Sequence, residues 1–202
     1  MNKLVVATRN RGKLKEIEAF LLGLVGQVIS AADLDGFSDT VEDGSTFEEN
    51  ALKKAREAMI FSGLPALADD SGLVVECLGG KPGIFSARFA GVGASDMENN
   101  NKLLLELDGF PREQRRASFV CSLAFVTPEG LEKTFSARVL GHILSEGRGD
   151  NGFGYDPLFL VGIYGRTMSE LSIEEKNLIS HRGQALKQFR NYLEESGLGQ
   201  IQ

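Results

Sequence analysis

Cysteine is scarce in this sequence, and no cluster of soft ligands is present. Cys77 and Cys121 lie in separate apolar stretches, and neither they nor the two histidines make a metal-ligand spacing. That excludes a disulfide scaffold or a zinc site and leaves two buried thiols in a reducing compartment. No apolar run approaches the roughly 20 residues of a membrane helix. The opening Lys3-Leu4-Val5-Val6-Ala7 is too short for the core of a signal peptide, so a cytoplasmic location is expected. A basic surplus is missing too: 22 Lys and Arg stand against 28 Asp and Glu, for a net charge of −6. General affinity for nucleic acid needs many phosphate contacts and is disfavoured, whereas a small anion held by a few placed cations is compatible. No repeat, low-complexity tract or linker interrupts the 202 residues, and one domain spanning 1–202 is expected.

What the chain does have is glycine, 24 residues of it, much of it clustered beside polar groups where backbone turns sharply or meets a ligand. The centre of interest is Ala68-Asp69-Asp70-Ser71-Gly72. An apolar run from Leu64 approaches it like a short buried strand, and Leu73-Val74-Val75 resumes the pattern after Gly72. The two acids are therefore expected at a strand end or sharp turn. Neighbouring carboxylates repel, so a fold that keeps both supplies a cation, a lysine or hydrogen-bond donors. Magnesium takes one or two carboxylates with waters and substrate phosphates, and suits an acidic site without clustered His or Cys. An Asx-turn with solvated acids is the plainer alternative.

Upstream, the strand pattern of Lys3–Ala7 runs through Thr8-Arg9-Asn10-Arg11-Gly12-Lys13 into helical spacing of Leu14, Ile17, Phe20 and Leu21. A strand, a polar turn and a helix N-terminus make an anion site from free N–H groups and the helix dipole. A Walker A loop is excluded, because Ala7 and Leu14 stand where it needs Gly and Ser or Thr. Arg9, Arg11 and Lys13 oppose the dipole at that end, which points to an anion nearby. Thr46 with Glu49 forms a capping-box pattern for a helix whose Ala51, Leu52, Ala55, Ala58 and Met59 are its buried face. Lys53, Lys54 and Arg56 read as its solvated side. Glu42, in the loop before that cap, is free to reach a metal.

Met97 to Leu107 reads as a helix with Leu103, Leu104 and Leu107 inward and Asn99-Asn100-Asn101 outward. Ala117–Val126 and Leu131–Leu144 make a hairpin through Thr127-Pro128-Glu129-Gly130. In Gly147–Pro157 four glycines alternate with aromatics and acids. The glycines around Phe153 leave its ring open for stacking on a flat heterocycle, or else Phe153 and Tyr155 are pinned in the core. Ser172 with Glu175 is a second capping box, opening a helix with Lys176, and Ser180-His181-Arg182 begins a last helix with an apolar stripe of Ala185, Leu186, Phe189 and Leu193. The alternation of strands and helices, with one long hairpin, indicates an α/β fold with a mixed sheet.

Six motifs in order resemble the inosine triphosphate pyrophosphatases, also known as dITP/XTP pyrophosphatases. They are Thr8-x-Asn10-x-x-Lys13, Glu42-x-Gly44-x-Thr46-Phe47-x-Glu49-Asn50-Ala51, Asp69-Asp70-Ser71-Gly72-Leu73, Leu78-Gly79-Gly80-x-Pro82-Gly83, Gly152-Phe153-Gly154-Tyr155-Asp156-Pro157 and Ser180-His181-Arg182. The resemblance implies a homodimeric, magnesium-dependent enzyme that cuts ITP, dITP and XTP at the α–β phosphoanhydride and cleanses the nucleotide pool. The implied fold is elongated, mixed-sheet α/β, with two lobes and a central active-site cleft. Carried over by residue, the phosphate turn falls on Thr8, Arg9, Asn10, Arg11, Gly12 and Lys13, and the metal carboxylates on Glu42 and Asp70. Asp70 is also the implied base and Ser71 a substrate contact beside it. Lys54 and Lys176 match triphosphate contacts, Phe153, Gly154, Tyr155 and Asp156 the base-side loop, and His181 with Arg182 the purine reader. A donor at Arg182 would satisfy a 6-oxo group and leave adenine mismatched.

Overall fold

The computed structural model describes residues 1–199. Its first strand, β1 (Lys3–Val6), is apolar at three successive positions because it is covered on both faces, as parallel strands are. It pairs in parallel with β2 (Gln27–Ser30) and with β3 (Ala66–Val75). The remaining strands are β4 (Arg116–Val126), β5 (Glu132–Ile143), β6 (Phe159–Val161) and β7 (Arg166–Thr167). The order across the seven-stranded sheet is β2-β1-β3-β4-β5-β6-β7, and the β5/β6 and β6/β7 pairs are antiparallel. The sheet is thus mixed, as the alternation of elements predicts. Its helices are α1 (Arg11–Leu21), α2 (Phe47–Ser62), α3 (Asp96–Glu106), α4 (Ile173–Ile179) and α5 (His181–Glu195).

The chain divides into two compact units. One comprises Met1–Asp70, Cys121–Ala137 and the chain from Arg182 on; the other comprises Ser71–Val120 and Arg138–His181. In the first unit, alternate residues of the strands feed two separate cores, because successive side chains leave a strand on opposite faces. Leu4, Val6 and Leu67 pack with Ile17, Leu21, Ala185, Leu186, Phe189 and Leu193 of α1 and α5. Val5, Ala66 and Ala68 pack with Ala51, Ala55 and Ala58 of α2. Alanines on that helix face let its backbone lie close to the sheet. The apolar stripe read for the last helix is the one that packs. In the second unit Leu73, Val75, Phe89, Leu103, Leu107, Phe119, Phe159 and Met168 form a single core. Each fully buried Leu, Val or Phe here stabilises the fold by about 1.5–3 kcal/mol before the entropy cost.

Three local expectations are corrected. Asp69 and Asp70 lie inside the ten-residue strand β3, and Gly72 continues that strand instead of breaking it. A mid-strand position is tolerable because the two carboxylates leave on opposite faces and each meets cations. Asn99 faces inward, 3% exposed, where its amide accepts from the Ala90 N–H and donates to the Ala87 carbonyl. An amide that caps a neighbouring turn is satisfied in a place the apolar pattern alone gives to solvent. The Thr46 cap accepts from the Glu49 N–H, but the Glu49 carboxylate takes the Ser45 N–H and hydroxyl, both at 2.7 Å, one residue before the position that the capping box predicts. The Ser172–Glu175 box forms in full.

Candidate active site

The alternation along β3 decides what each acid can reach. Asp69 shares the face of Leu67, toward α1 and α5. Its Oδ2 lies 2.9 Å from Lys13 Nζ and 3.2 Å from both Nε and Nη2 of Arg182. Arg182 is 2% exposed, and its Nη1 donates to Glu16 Oε2 at 2.5 Å. Burial alone would raise the Asp69 pKa, but Lys13, Arg182 and Lys54 outweigh it and hold the carboxyl well below the usual range. Burial would lower the Arg182 pKa, and Asp69 and Glu16 raise it instead. Both groups are therefore charged throughout the neutral range. His181 and Arg182 are both buried.

Asp70 shares the face of Ala66 and Ala68, toward α2. Its Oδ1 accepts from Lys54 Nζ at 3.0 Å and its Oδ2 from Asn50 Nδ2 at 3.1 Å. Lys54 Nζ also lies 2.8 Å from Glu42 Oε1, so one ammonium joins two carboxylates. Lys54 is not part of a solvated helix face, its side chain being 12% exposed. Burial pushes the Asp70 carboxyl above its ordinary pKa; Lys54 and Lys13 pull it down, Glu42 raises it further, and the balance is upward. The Lys54 pKa rises in turn: burial would depress it, but Asp70, Asp69 and Glu42 together prevail. Asn50 is fully buried, and its Oδ1 accepts from the Gly44 N–H at 2.8 Å. A Cβ on Gly44 would meet that oxygen at 2.7 Å, so only glycine lets the loop behind Glu42 come so close.

The Thr8–Lys13 turn is built as the sequence predicts, with different partners for its cations. Thr8 Oγ1 accepts from the Asn10 N–H, and Asn10 caps α1 by accepting from the Lys13 N–H at 3.0 Å. Gly12 lies in the first turn of the helix. Arg9 turns away to Asp39 at 2.6 Å and to the Phe37 carbonyl. Arg11 is exposed. Of the three cations only Lys13 joins the acid on β3.

In the second unit the structure gathers Phe153, Asp156 and Lys176. Lys176 Nζ donates to Asp156 Oδ2 at 2.6 Å and sits 4.7 Å from the centroid of the Phe153 ring. The Phe153 ring is half-buried with an ammonium over it, between the open ring and the core placement that the sequence left as alternatives. The Phe153 N–H donates to the same Asp156 oxygen at 3.0 Å. Gly152, at φ +87°, is also pressed against that carboxylate, where no side chain fits. Tyr155 is buried with its hydroxyl donating to the Ser86 carbonyl at 2.8 Å. Gly154 bonds α3 through its backbone. The His181 ring stacks on Phe119 with centroids 4.9 Å apart. Ser71 follows Asp70 on β3 and is half-buried.

Sequence reading passed over Asn50 and Glu16, which the structure places against Asp70 and Arg182. Asn50 and Lys54 are one helical turn apart, and Lys13 and Glu16 likewise, so each pair shares a face. A polar residue beside Ala51 or Ile17 on an inward face was the available signal.

The donor set fits a hard divalent cation. Two carboxylates already converge on a single positive charge at Lys54, and magnesium takes one or two carboxylates together with phosphate oxygens and water.

Comparison with known proteins agrees with the geometry. The chain is 54% identical over 198 residues to the dITP/XTP pyrophosphatase of Geobacter sulfurreducens, covering 98% of this chain and all of that protein. It is 51% identical over 185 residues to the dITP/XTP pyrophosphatase of Desulforamulus reducens, covering 92% of each. Among solved structures, the Ham1 protein of Staphylococcus aureus superposes with a TM-score of 0.87 at 40% identity, over 96% of this chain and all of that one. The HAM1 protein of Coxiella burnetii superposes with a TM-score of 0.88 at 43% identity and the same coverage. The Ham1 family model matches residues 4–192, and the chain belongs to the Ham1 family.

Proposed function

We propose that this protein hydrolyses ITP, dITP and XTP at the α–β phosphoanhydride, giving the monophosphate and pyrophosphate and removing non-standard purines from the nucleotide pool. The observation that carries this reading is the pairing of Asp70 with Lys54 and Asn50 beside Glu42, in a chain about half identical to proteins named dITP/XTP pyrophosphatases.

Asp70 is the base. Lys54 on Oδ1 and Asn50 on Oδ2 fix its plane, so the proton it takes comes from a water aligned by the same carboxylate. The water oxygen bonds to the α-phosphorus, the bond to the bridging oxygen breaks, and pyrophosphate leaves with the electron pair. Glu42 and Asp70 would hold the Mg2+, which when bound neutralises phosphate charge and polarises phosphorus. Lys54, which lies between the same two carboxylates, would supply its ammonium to the triphosphate.

Thr8, Arg9, Asn10, Arg11, Gly12 and Lys13 are assigned to the phosphates, with Lys13 the principal charge because Asp69 holds it in place. Ser71 is a substrate contact. Phe153, Gly154, Tyr155 and Asp156 serve the base, with Lys176 tied to them through Asp156, and His181 and Arg182 complete the purine recognition. In this reading residues 1–202 act as one catalytic domain in a cytoplasmic homodimer.

Release of pyrophosphate and orthophosphate from ITP, XTP, GTP and ATP, with Mg2+ and with EDTA, tests the reading. Metal-dependent pyrophosphate from ITP and XTP, with little from GTP or ATP, is expected. Orthophosphate as first product would move the cut to the terminal phosphate, and no product from any of the four would refute hydrolysis of this substrate class.

A further inference from the structure

The loop that carries Phe153 is held from one side by two residues of α3. Asp96 Oδ2 accepts from the Gly154 N–H at 2.7 Å, and Asn100 Nδ2 donates to the Gly154 carbonyl at 2.9 Å. One turn of helix therefore grips both polar atoms of a single residue, and that residue is a glycine at φ +61° directly after Phe153. Asp96 is free for this duty because Ser95 and Glu98 cap α3 between themselves. An acid in the first turn is also favoured by the dipole, so the helix holds it there. The same carboxylate is close enough to Tyr155 to add to the burial that raises the phenol pKa.

Other bonds hold the neighbouring atoms of the loop. The Phe153 N–H goes to Asp156, the Asp156 N–H to the Phe153 carbonyl, and the Tyr155 hydroxyl to Ser86. They hold the carbonyl of the peptide that follows Phe153 and the residues around it; Asp96 holds the N–H of that peptide. A cavity of about 310 Å³ lies along this seam, lined by Asp96, Asn100, Asn151 and Phe153 among others, so the loop has space to move if the two bonds are lost. The Asn100 orientation is unambiguous, since an amide oxygen turned to the Gly154 carbonyl would meet another acceptor.

We propose that Asp96 and Asn100 are positioning residues for base recognition: they clamp Gly154 and so set the place of the Phe153 ring. This rests on the assignment of the Phe153 loop to the base. Neither residue touches the phosphates or the reacting atoms, so their loss weakens nucleotide binding and leaves the chemical step alone.

The test compares Asp96→Ala, Asp96→Asn, Asn100→Ala and Phe153→Ala, measuring KM and kcat on ITP, binding of its product IMP, binding of pyrophosphate alone, and thermal melting. Asp96→Ala and Asn100→Ala are expected to raise KM and weaken IMP about tenfold, the size of one lost hydrogen bond, with kcat within about twofold. Pyrophosphate binding is expected to be unchanged in both. Asp96→Asn retains an oxygen that accepts from Gly154 and recovers most of the loss, which a general effect on stability would not distinguish. If Phe153→Ala raises KM but the three α3 variants bind IMP as the parent does, the clamp is refuted and the assignment of the loop stands. If Phe153→Ala leaves KM and IMP binding unchanged, the assignment itself fails. Equal losses of IMP and pyrophosphate, or a fall in kcat alone, would also overturn the clamp.

Discussion

Asp69 and Asp70 are adjacent in sequence yet bind different cations, Asp69 taking Lys13 and Arg182 and Asp70 taking Lys54. The pleat of β3 separates them, and their environments push their pKa values apart: Asp69 is lowered and Asp70 raised. Two groups of one kind with opposite shifts are suited to two roles. In the proposed mechanism Asp69 is a permanent anion that holds cations in place, and Asp70 is the group that exchanges a proton. Buried ion pairs are weak evidence for stability, since desolvation offsets most of their attraction, so the Asp69 cluster is better understood as geometry held for use.

Asp70→Asn is expected to lower kcat for pyrophosphate release by at least about a thousandfold, the range for loss of a general base. The melting temperature should stay within a few degrees of the parent. A carboxyl whose pKa is raised by burial is costly to keep charged, so a neutral amide in its place relieves the site, and Lys54 retains Glu42. Activity near the parent level would remove Asp70 from the role of base.

Lys13→Ala is expected to act in two ways at once. KM for the triphosphate rises, because the principal charge of the phosphate turn is gone. Stability also falls, by about 1–3 kcal/mol, because Asp69 is left buried with Arg182 as its remaining close cation. Urea unfolding and steady-state kinetics on the same sample check both. An unchanged KM with reduced kcat would place Lys13 in the chemical step.

Where hydrophobic period and capping chemistry act alone, the sequence was readable. The stripe of Ala185, Leu186, Phe189 and Leu193, the alanine face of α2 and the Ser172–Glu175 box all appear as their spacing implies. The misreadings fall where a distant charge overrules a local preference. Asp69-Asp70-Ser71-Gly72 has poor β-propensity, yet it lies in a strand where Lys13, Lys54 and Arg182, from three separate helices, meet its two carboxylates. Basic residues at the N-terminus of α1 pointed to a nearby anion, and the anion that Lys13 meets here is the protein's own Asp69. Asp96 and Asn100 carried no signal, because their partner is the backbone of Gly154, which looks the same in any sequence.

Glu42→Gln is expected to leave a metal site with one charged ligand. Two carboxylates now share Lys54, and the amide keeps an oxygen without the charge. The Mg2+ concentration for half-maximal activity should rise about tenfold or more, with kcat at saturating Mg2+ reduced less. In the parent protein EDTA should abolish turnover and excess Mg2+ restore it. A variant with the parent's Mg2+ dependence would show that Glu42 is not a ligand.

Cys121 offers a check on the core that is independent of activity. It is fully buried on β4, and burial, reinforced by the Asp69 charge, pushes its thiol up to about 12. Only the thiolate reacts with iodoacetamide, so at pH 8 the folded protein should leave Cys121 unmodified, whereas in urea it is labelled. The sign of the linked stability follows from the same shift. Between the unfolded value of 9.0 and about 12 the folded state keeps a proton that the unfolded state has lost. This group's contribution is therefore complete below pH 9 and declines as pH rises through that window. Cys121→Ala should flatten the fall in stability over that range. Rapid labelling of native Cys121 at pH 8 would mean that the sheet between β3 and β4 opens far more readily than its packing implies.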